Sequence, residues 1–146
     1  MPTIRKVNHL ALVVSDMEAA LSFWRDALGI PLAEVRDVPA EAAQVAFLPV
    51  ADSEIELVLP TSEESGLAKY LAKRGPGMHH LCLEVDDLAG FLQQLKANGI
   101  RLINEEPRIG ADGKKYAFIH PESTHGVLVE LYEIPPLPEN DGHAKS

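Results

Sequence analysis

The chain reads His9-Leu10-Ala11-Leu12-Val13-Val14-Ser15-Asp16 near its start and, 71 residues later, His80-Leu81-Cys82-Leu83-Glu84-Val85-Asp86-Asp87. Histidine, leucine, valine and aspartate recur in register between these two runs. Three further pairs follow in the same order: Ala27-Leu28-Gly29-Ile30 with Ala97-Asn98-Gly99-Ile100, Ala46-Phe47-Leu48 with Ala117-Phe118-Ile119, and Glu54-Ile55-Glu56-Leu57 with Leu128-Val129-Glu130-Leu131. Four ordered matches favour an internal duplication.

Each copy has the same local pattern. An alternating strand leads to an aspartate suited to a helix N-cap, then to apolar residues spaced three and four apart, and then to a glycine suited to end the helix. Three strand-like segments follow each helix. They are Leu32 to Arg36, Gln44 to Pro49 and Glu54 to Leu59 in the first copy, and Arg101 to Glu105, Lys115 to His120 and Val127 to Glu133 in the second.

The pattern therefore predicts an α+β fold of two tandem βαβββ modules. We expect them to form a partly closed, curved mixed sheet around a shared site, with the helices on the outer face. The 146 residues make one domain, with module one at about 4–60 and module two at about 78–134. A linker helix is expected within about 61–77, and the proline-rich tail 135–146 is predicted to be disordered.

Strand parity predicts where four chemically important side chains point. Leu10, Leu12 and Val14 share one face of the first strand, so His9 lies on the other. The apolar neighbours of Glu56 and Glu130 place those carboxylates in the same way. The duplication puts His80 at the position equivalent to His9, and the four side chains are expected to converge on the concave face.

Two imidazoles and two carboxylates form a ligand set that divalent Zn²⁺, Ni²⁺, Co²⁺ or Mn²⁺ accepts. We therefore predict one divalent metal ion per chain, held by His9, Glu56, His80 and Glu130. Any one of these residues alone would more often be structural or solvent-exposed, and the matched placement of both pairs favours the metal. His79 is expected to face away from His80 and to be structural.

Composition excludes several classes of protein. A formal net charge of −9 argues against nucleic acid as a partner, and no apolar run is long enough for a membrane helix. The single cysteine, Cys82, allows no disulfide within the chain, which suits a reducing compartment. Since the first residues do not have the pattern of a secretory signal, a cytoplasmic location is expected.

These modules and their His…Glu…His…Glu set resemble the vicinal oxygen chelate superfamily and, within it, the methylmalonyl-CoA epimerases. The resemblance covers roughly Ile4 to Tyr132. It is carried most specifically by Gly77-Met78-His79-His80-Leu81-Cys82-Leu83-Glu84-Val85-Asp86 and by Gly126-Val127-Leu128-Val129-Glu130-Leu131. It implies an acyl-CoA substrate, a homodimer and metal ligands at the four residues predicted above.

The resemblance also implies a reaction, the interconversion of (R)- and (S)-methylmalonyl-CoA by proton transfer at the carbon next to the thioester. Glu130 is the first candidate for the base and Glu56 the second. Some bacterial relatives carry a catalytic glutamate in the strand before Ala46-Phe47. That stretch here is Gln44-Val45-Ala46, so the second acid–base group is unassigned.

Three alternatives differ in substrate or in class. A glyoxalase I-type lyase would use the same ligands on a glutathione hemithioacetal. A non-catalytic drug-binding protein of this fold would not need four intact ligands. A ring-cleaving dioxygenase normally uses two histidines and one carboxylate, which would leave one glutamate without a role.

A basic segment interrupts the acidic chain at Arg108, Lys114 and Lys115. Solvated surface is the simpler interpretation of such a cluster. The hypothesis that follows from the expected substrate is that these three side chains bind the phosphates of CoA.

Overall fold

The computed structural model describes residues 2–110 and 112–134. Its contacts divide the chain into two compact units, here called the N-terminal unit, Val7–Cys82, and the C-terminal unit, Met1–Lys6 with Leu83–Ser146. The predicted disordered tail, 135–146, lies outside the described residues. Within the described ranges, the longest helices are far too short to cross a bilayer.

The N-terminal unit contains most of β1 (Ile4–Val13), then α1 (Met17–Leu21), β2 (Glu34–Val38), β3 (Ala43–Val50), β4 (Ser53–Pro60) and α2 (Gly66–Arg74). Strand β3 is antiparallel to both β2 and β4, whereas β1 runs parallel to β4. A π-helical turn, Ser22–Ala27, continues α1. Parallel and antiparallel pairing in one sheet agrees with the predicted mixed type.

The cap residues of α1 are those that the sequence predicted. The Asp16 carboxylate accepts a hydrogen bond from the Ala19 N–H at 3.1 Å, which satisfies a donor at the start of α1 that has no partner within the helix. Gly29 follows the helical segment with φ +82°, a left-handed conformation that costs an L side chain about 1–2 kcal/mol. The helix therefore begins and ends where local backbone chemistry favours it.

Helix α1 covers one face of the N-terminal sheet. A buried cluster joins Met17 and Leu21 of α1 to Leu57 of β4, with Leu12 of β1 packed against it. Helix α2 packs differently, because its Leu67 contacts a second cluster that contains Ala11 and Val58, on the face that also carries His9 and Glu56. The prediction of helices on the outer face therefore describes α1 but not α2.

Strand β5 (Gly77–Val85) begins in the N-terminal unit and ends in the C-terminal one. The C-terminal unit continues with α3 (Leu88–Ala97), β6 (Arg108–Ile109), β7 (Lys115–Ile119) and β8 (Val129–Glu133), and these last three strands pair antiparallel. The Asp87 carboxylate caps α3 by accepting from the Gly90 N–H at 3.0 Å. Leu88 and Leu92 of α3 pack on Leu131 of β8 in a buried cluster.

The predicted strand from Arg101 to Glu105 is wrong. Among the described residues, this segment forms only one isolated bridge, between Leu102 and Ile119. The Asn104 side chain accepts the hydrogen bond of the Phe118 N–H at 2.8 Å, and the N–H groups of Ile103 and Asn104 both donate to the Phe118 carbonyl. Because a side chain takes the place of a backbone acceptor, no regular ladder forms here.

Candidate metal centre

His9 and Glu56 lie on neighbouring parallel strands of the N-terminal unit. Ala11 of β1 is in register with Glu56 of β4, and His9 shares the face of Ala11. The residues on either side of Glu56, Ile55 and Leu57, belong to the α1-covered cluster, so the carboxylate points to the opposite face, as parity predicted. The side chains of His9 and Glu56 keep only 13% and 17% exposure.

His80, on the part of β5 that belongs to the same unit, brings its ring against His9. The two Nε2 atoms are 3.1 Å apart, and the rings meet edge to face with centroids 5.2 Å apart. Two ligand atoms each about 2.1 Å from one ion are about 3.0 Å apart at a 90° angle and about 3.4 Å apart at a tetrahedral angle. The separation of the two nitrogens therefore fits two adjacent ligands of a single divalent ion.

The outer nitrogens of both rings have partners that orient them. Nδ1 of His9 lies 2.8 Å from Oδ1 of Asn8, and Nδ1 of His80 lies 3.0 Å from Nδ1 of His79. In metal sites a ligating histidine typically donates its other N–H to an acceptor, which sets the tautomer and the ring orientation. The Asn8 oxygen can be such an acceptor for His9, and the His79 nitrogen can be one for His80.

Glu56 contacts the outer side of the His9 ring. Its Oε2 lies 3.4 Å from Nδ1 of His9, and Nδ1 is not the nitrogen that faces His80. A carboxylate in this position can orient a ligating imidazole, and a side-chain rotation would be needed for it to ligate through the same oxygen. Three of the four predicted ligands therefore lie together, while direct ligation by Glu56 stays a prediction.

His79 is a neighbour of the site that parity did not reveal. Its ring lies edge to face against Tyr70 of α2, with centroids 4.7 Å apart. Burial, together with the adjacent His80, lowers the pKa of His79 to about 4. Parity describes the direction of the Cβ atom, whereas Nδ1 lies close to the backbone, so the Nδ1 atoms of consecutive histidines can still meet.

Cys82 is a second neighbour that the sequence reasoning passed over. It is fully buried, and a ligand nitrogen of His9 lies within 4.8 Å of its Sγ. Its position two residues after His80 gives it the same face of β5, and this spacing is the signal that could have identified it.

Glu130 lies on β8 of the C-terminal unit. It is directly opposite Phe118 of β7, and it is partly buried. Its neighbours Val129 and Leu131 pack in the cluster under α3, so the Glu130 side chain lies on the face that α3 does not cover. The parity prediction for this strand is therefore confirmed, and the role of Glu130 as a ligand stays a prediction.

The three basic residues do not share one face. Arg108 pairs with Tyr116, and Lys114 lies two residues before Tyr116, with its Nζ 5.8 Å from the centre of the Tyr132 ring. Lys115 pairs with Ile109 on one side and with Glu133 on the other, on the opposite face of the strands. Arg108 and Lys114 can therefore act together, and Lys115 is separated from them.

Comparison with known proteins places these observations in a family. The family model of the glyoxalase/bleomycin resistance protein/dioxygenase superfamily matches residues 8–118. The mitochondrial methylmalonyl-CoA epimerase of Mus musculus is 40% identical over 127 residues, 86% of this chain and 71% of that protein. The ethylmalonyl-CoA/methylmalonyl-CoA epimerase of Cereibacter sphaeroides is 38% identical over 90% of this chain and 99% of that protein.

A solved structure gives the corresponding result for the fold. A methylmalonyl-CoA epimerase in complex with methylmalonyl-CoA and NH₄⁺ matches with a TM-score of 0.76 at 29% identity, over 90% of this chain and 95% of that one. The vicinal oxygen chelate fold expected from the duplicated modules is therefore confirmed. Members of the superfamily bind a divalent metal ion.

Proposed function

The chain belongs to the glyoxalase/bleomycin resistance protein/dioxygenase superfamily and, within it, to the methylmalonyl-CoA epimerase family, and we propose that it interconverts (R)- and (S)-methylmalonyl-CoA. The observation that carries this proposal is the pairing of the His9 and His80 Nε2 atoms beside Glu56, in a chain that is 38–40% identical to epimerases. Such a site suits proton transfer at a carbon next to a carbonyl.

His9 and His80 would hold one divalent ion, with Glu56 and Glu130 completing the set. The mixture of nitrogen and oxygen donors suits Co²⁺, Ni²⁺, Mn²⁺ or Zn²⁺. When bound, the ion supplies a Lewis acid that polarises the thioester carbonyl and stabilises the charge that develops on its oxygen. Asn8 and His79 hold the outer nitrogens of the two histidines, which leaves both Nε2 atoms available for the ion.

The carboxylates would handle the proton. Glu130 is the first candidate to take it from C2, and Glu56 is the second. A carboxylate is a weak base for a carbon acid, so most of the help must come from stabilising the charge on the substrate oxygen. Glu41 ends a 3₁₀ turn, Pro39–Glu41, before β3 and is exposed, so it is not assigned a role.

The CoA end of the substrate would contact Arg108 and Lys114. Both side chains are charged donors suited to phosphate, and both occupy one face of the β6–β7 hairpin. Lys115 of β7 pairs with Glu133 of β8 on the other face, so its contribution is expected to be smaller.

The oligomer and the location are inferred on different grounds. From the family likeness we infer a homodimer that acts on a small acyl-CoA, and the single cysteine, Cys82, suits a cytoplasmic location. The net charge of −9 disfavours nucleic acid as a partner, and we infer no membrane partner.

The test is exchange of the C2 proton of methylmalonyl-CoA in D₂O, followed by NMR with metal-loaded and chelator-treated protein. We expect exchange that depends on protein and on metal. The glyoxalase I-type alternative predicts no exchange and, instead, isomerisation of a glutathione hemithioacetal. A non-catalytic binding protein would do neither, so the two assays together separate the three functions.

A further inference from the structure

Four side chains form a continuous row along the edge of the histidine pair. Oδ1 of Asn8 lies 2.8 Å from Nδ1 of His9, the two Nε2 atoms of His9 and His80 are 3.1 Å apart, and Nδ1 of His80 lies 3.0 Å from Nδ1 of His79. Every one of these distances is within hydrogen-bond range. The row therefore connects His79 to the His9–His80 pair through the outer nitrogen of His80.

The contact between His80 and His79 suits a ligating His80. A divalent ion held by the two Nε2 atoms would require the single hydrogen of His80 to lie on Nδ1. The Nδ1 atom of His79 is 3.0 Å from that position and can accept this hydrogen.

We propose that His79 is the positioning residue of the metal site and holds the His80 ring through the Nδ1–Nδ1 contact. This inference rests on the proposed metal site. Histidine suits the position because a neutral imidazole nitrogen can accept a hydrogen bond from the His80 ring.

The structure also holds the His79 ring in place. Tyr70 of α2 packs its ring against the edge of His79, and the Tyr70 hydroxyl donates to the Met78 carbonyl at 3.1 Å. The Arg74 guanidinium lies 5.2 Å from the centre of the Tyr70 ring. Helix α2 therefore contributes a support for His79, which limits rotation of its ring away from His80.

The first test is Co²⁺ affinity, measured by competition with a chromophoric chelator. The His79→Leu substitution removes both the donor and the acceptor, and we expect affinity to fall about 10- to 100-fold, as for other partners of metal ligands. His79→Asn carries an amide that donates or accepts according to its orientation, and it should restore affinity to within about threefold of the original chain.

A matched control comes from the C-terminal unit. His120 is also partly buried, and its Nδ1 accepts a hydrogen bond from the Glu122 N–H at 3.0 Å. His120→Leu makes the same chemical change at a helical turn, and it should leave Co²⁺ affinity within about threefold of the original. A comparable loss in both leucine variants would attribute the effect to general destabilisation and overturn the proposal.

The second test is ¹⁵N NMR of the histidine rings. We expect Zn²⁺ to shift the ring resonances of His79 together with those of His80, and to leave the resonances of His120 near their original positions. Unchanged His79 resonances, or equal loss of Co²⁺ affinity in the leucine and asparagine variants, would overturn the proposal. If the original chain binds no Co²⁺, the metal site itself is refuted. If it binds Co²⁺ and His79→Leu binds it equally well, only the role of His79 is refuted.

Discussion

Leu57 determines which face of β4 carries Glu56, so a Leu57→Ala substitution tests the geometry of the site through stability. Leu57 is fully buried in the cluster under α1. Removing three carbon atoms at about 0.8 kcal/mol each costs about 2.4 kcal/mol, and incomplete collapse of the cavity brings the total to about 3–4 kcal/mol. With a urea slope of about 2 kcal/mol per M, the unfolding midpoint should fall by roughly 1.5–2 M.

Leu28→Ala provides the matched control, because it is the same substitution at a residue that is 53% exposed. About half of its side chain is already in water, so Leu28→Ala should cost only about 1 kcal/mol. Urea titrations followed by circular dichroism measure both variants. Equal midpoint shifts would mean that Leu57 is not in the core and that β4 is displaced by one residue, which would turn Glu56 to the α1-covered side.

Two further predictions concern the reaction. Glu130→Gln keeps an oxygen that can ligate a metal, but the neutral amide cannot accept a proton. We therefore expect kcat to fall by roughly 10²–10⁴-fold while the metal content stays near normal. If the C2 protons of both epimers still exchange at the original rate, Glu130 is only a ligand. Lys114→Glu should raise KM with little change in kcat, whereas Lys115→Glu, on the other face of β7, should raise KM less. Steady-state kinetics measure both values. An equal KM in the original chain and in the two variants would mean that this loop does not bind the substrate.

Much of the site could be predicted because its signals are local. The alternation around His9 and Glu56 and the capping aspartates depend on residues only a few positions away, and the structure reproduces both. The duplication then linked His9 to His80 across 71 residues, which local periodicity could not have done. The contact between their Nε2 atoms at 3.1 Å is the long-range result of that link.

Other features depended on side-chain geometry that a pattern does not contain. The segment Arg101–Glu105 has the alternation of a strand, but the Asn104 amide oxygen takes the hydrogen bond of the Phe118 N–H. His79 was expected to face away from His80, yet their Nδ1 atoms meet at 3.0 Å. Both errors arise because parity gives the direction of a side chain's first bond and not the reach of its polar atoms.

The placement of α2 depended on packing at a distance. Its sequence predicted a linker helix, and a helix is present at Gly66–Arg74. Its position on the face of Ala11 and Val58 is set by the contact of Leu67 with that cluster. No periodicity within the helix could have indicated which face of the sheet it would meet, so the support that Tyr70 gives to His79 was not predictable.

The proposed function depends most directly on one divalent ion held by His9 and His80. The decisive measurement is the metal content of the chain after loading with Co²⁺ and gel filtration, for the original sequence and for His80→Ala. We expect about one Co²⁺ per chain in the original, and a loss of most of that metal, together with C2 proton exchange, in the variant. Full occupancy and full exchange in His80→Ala would contradict the metal site on which the proposed function rests.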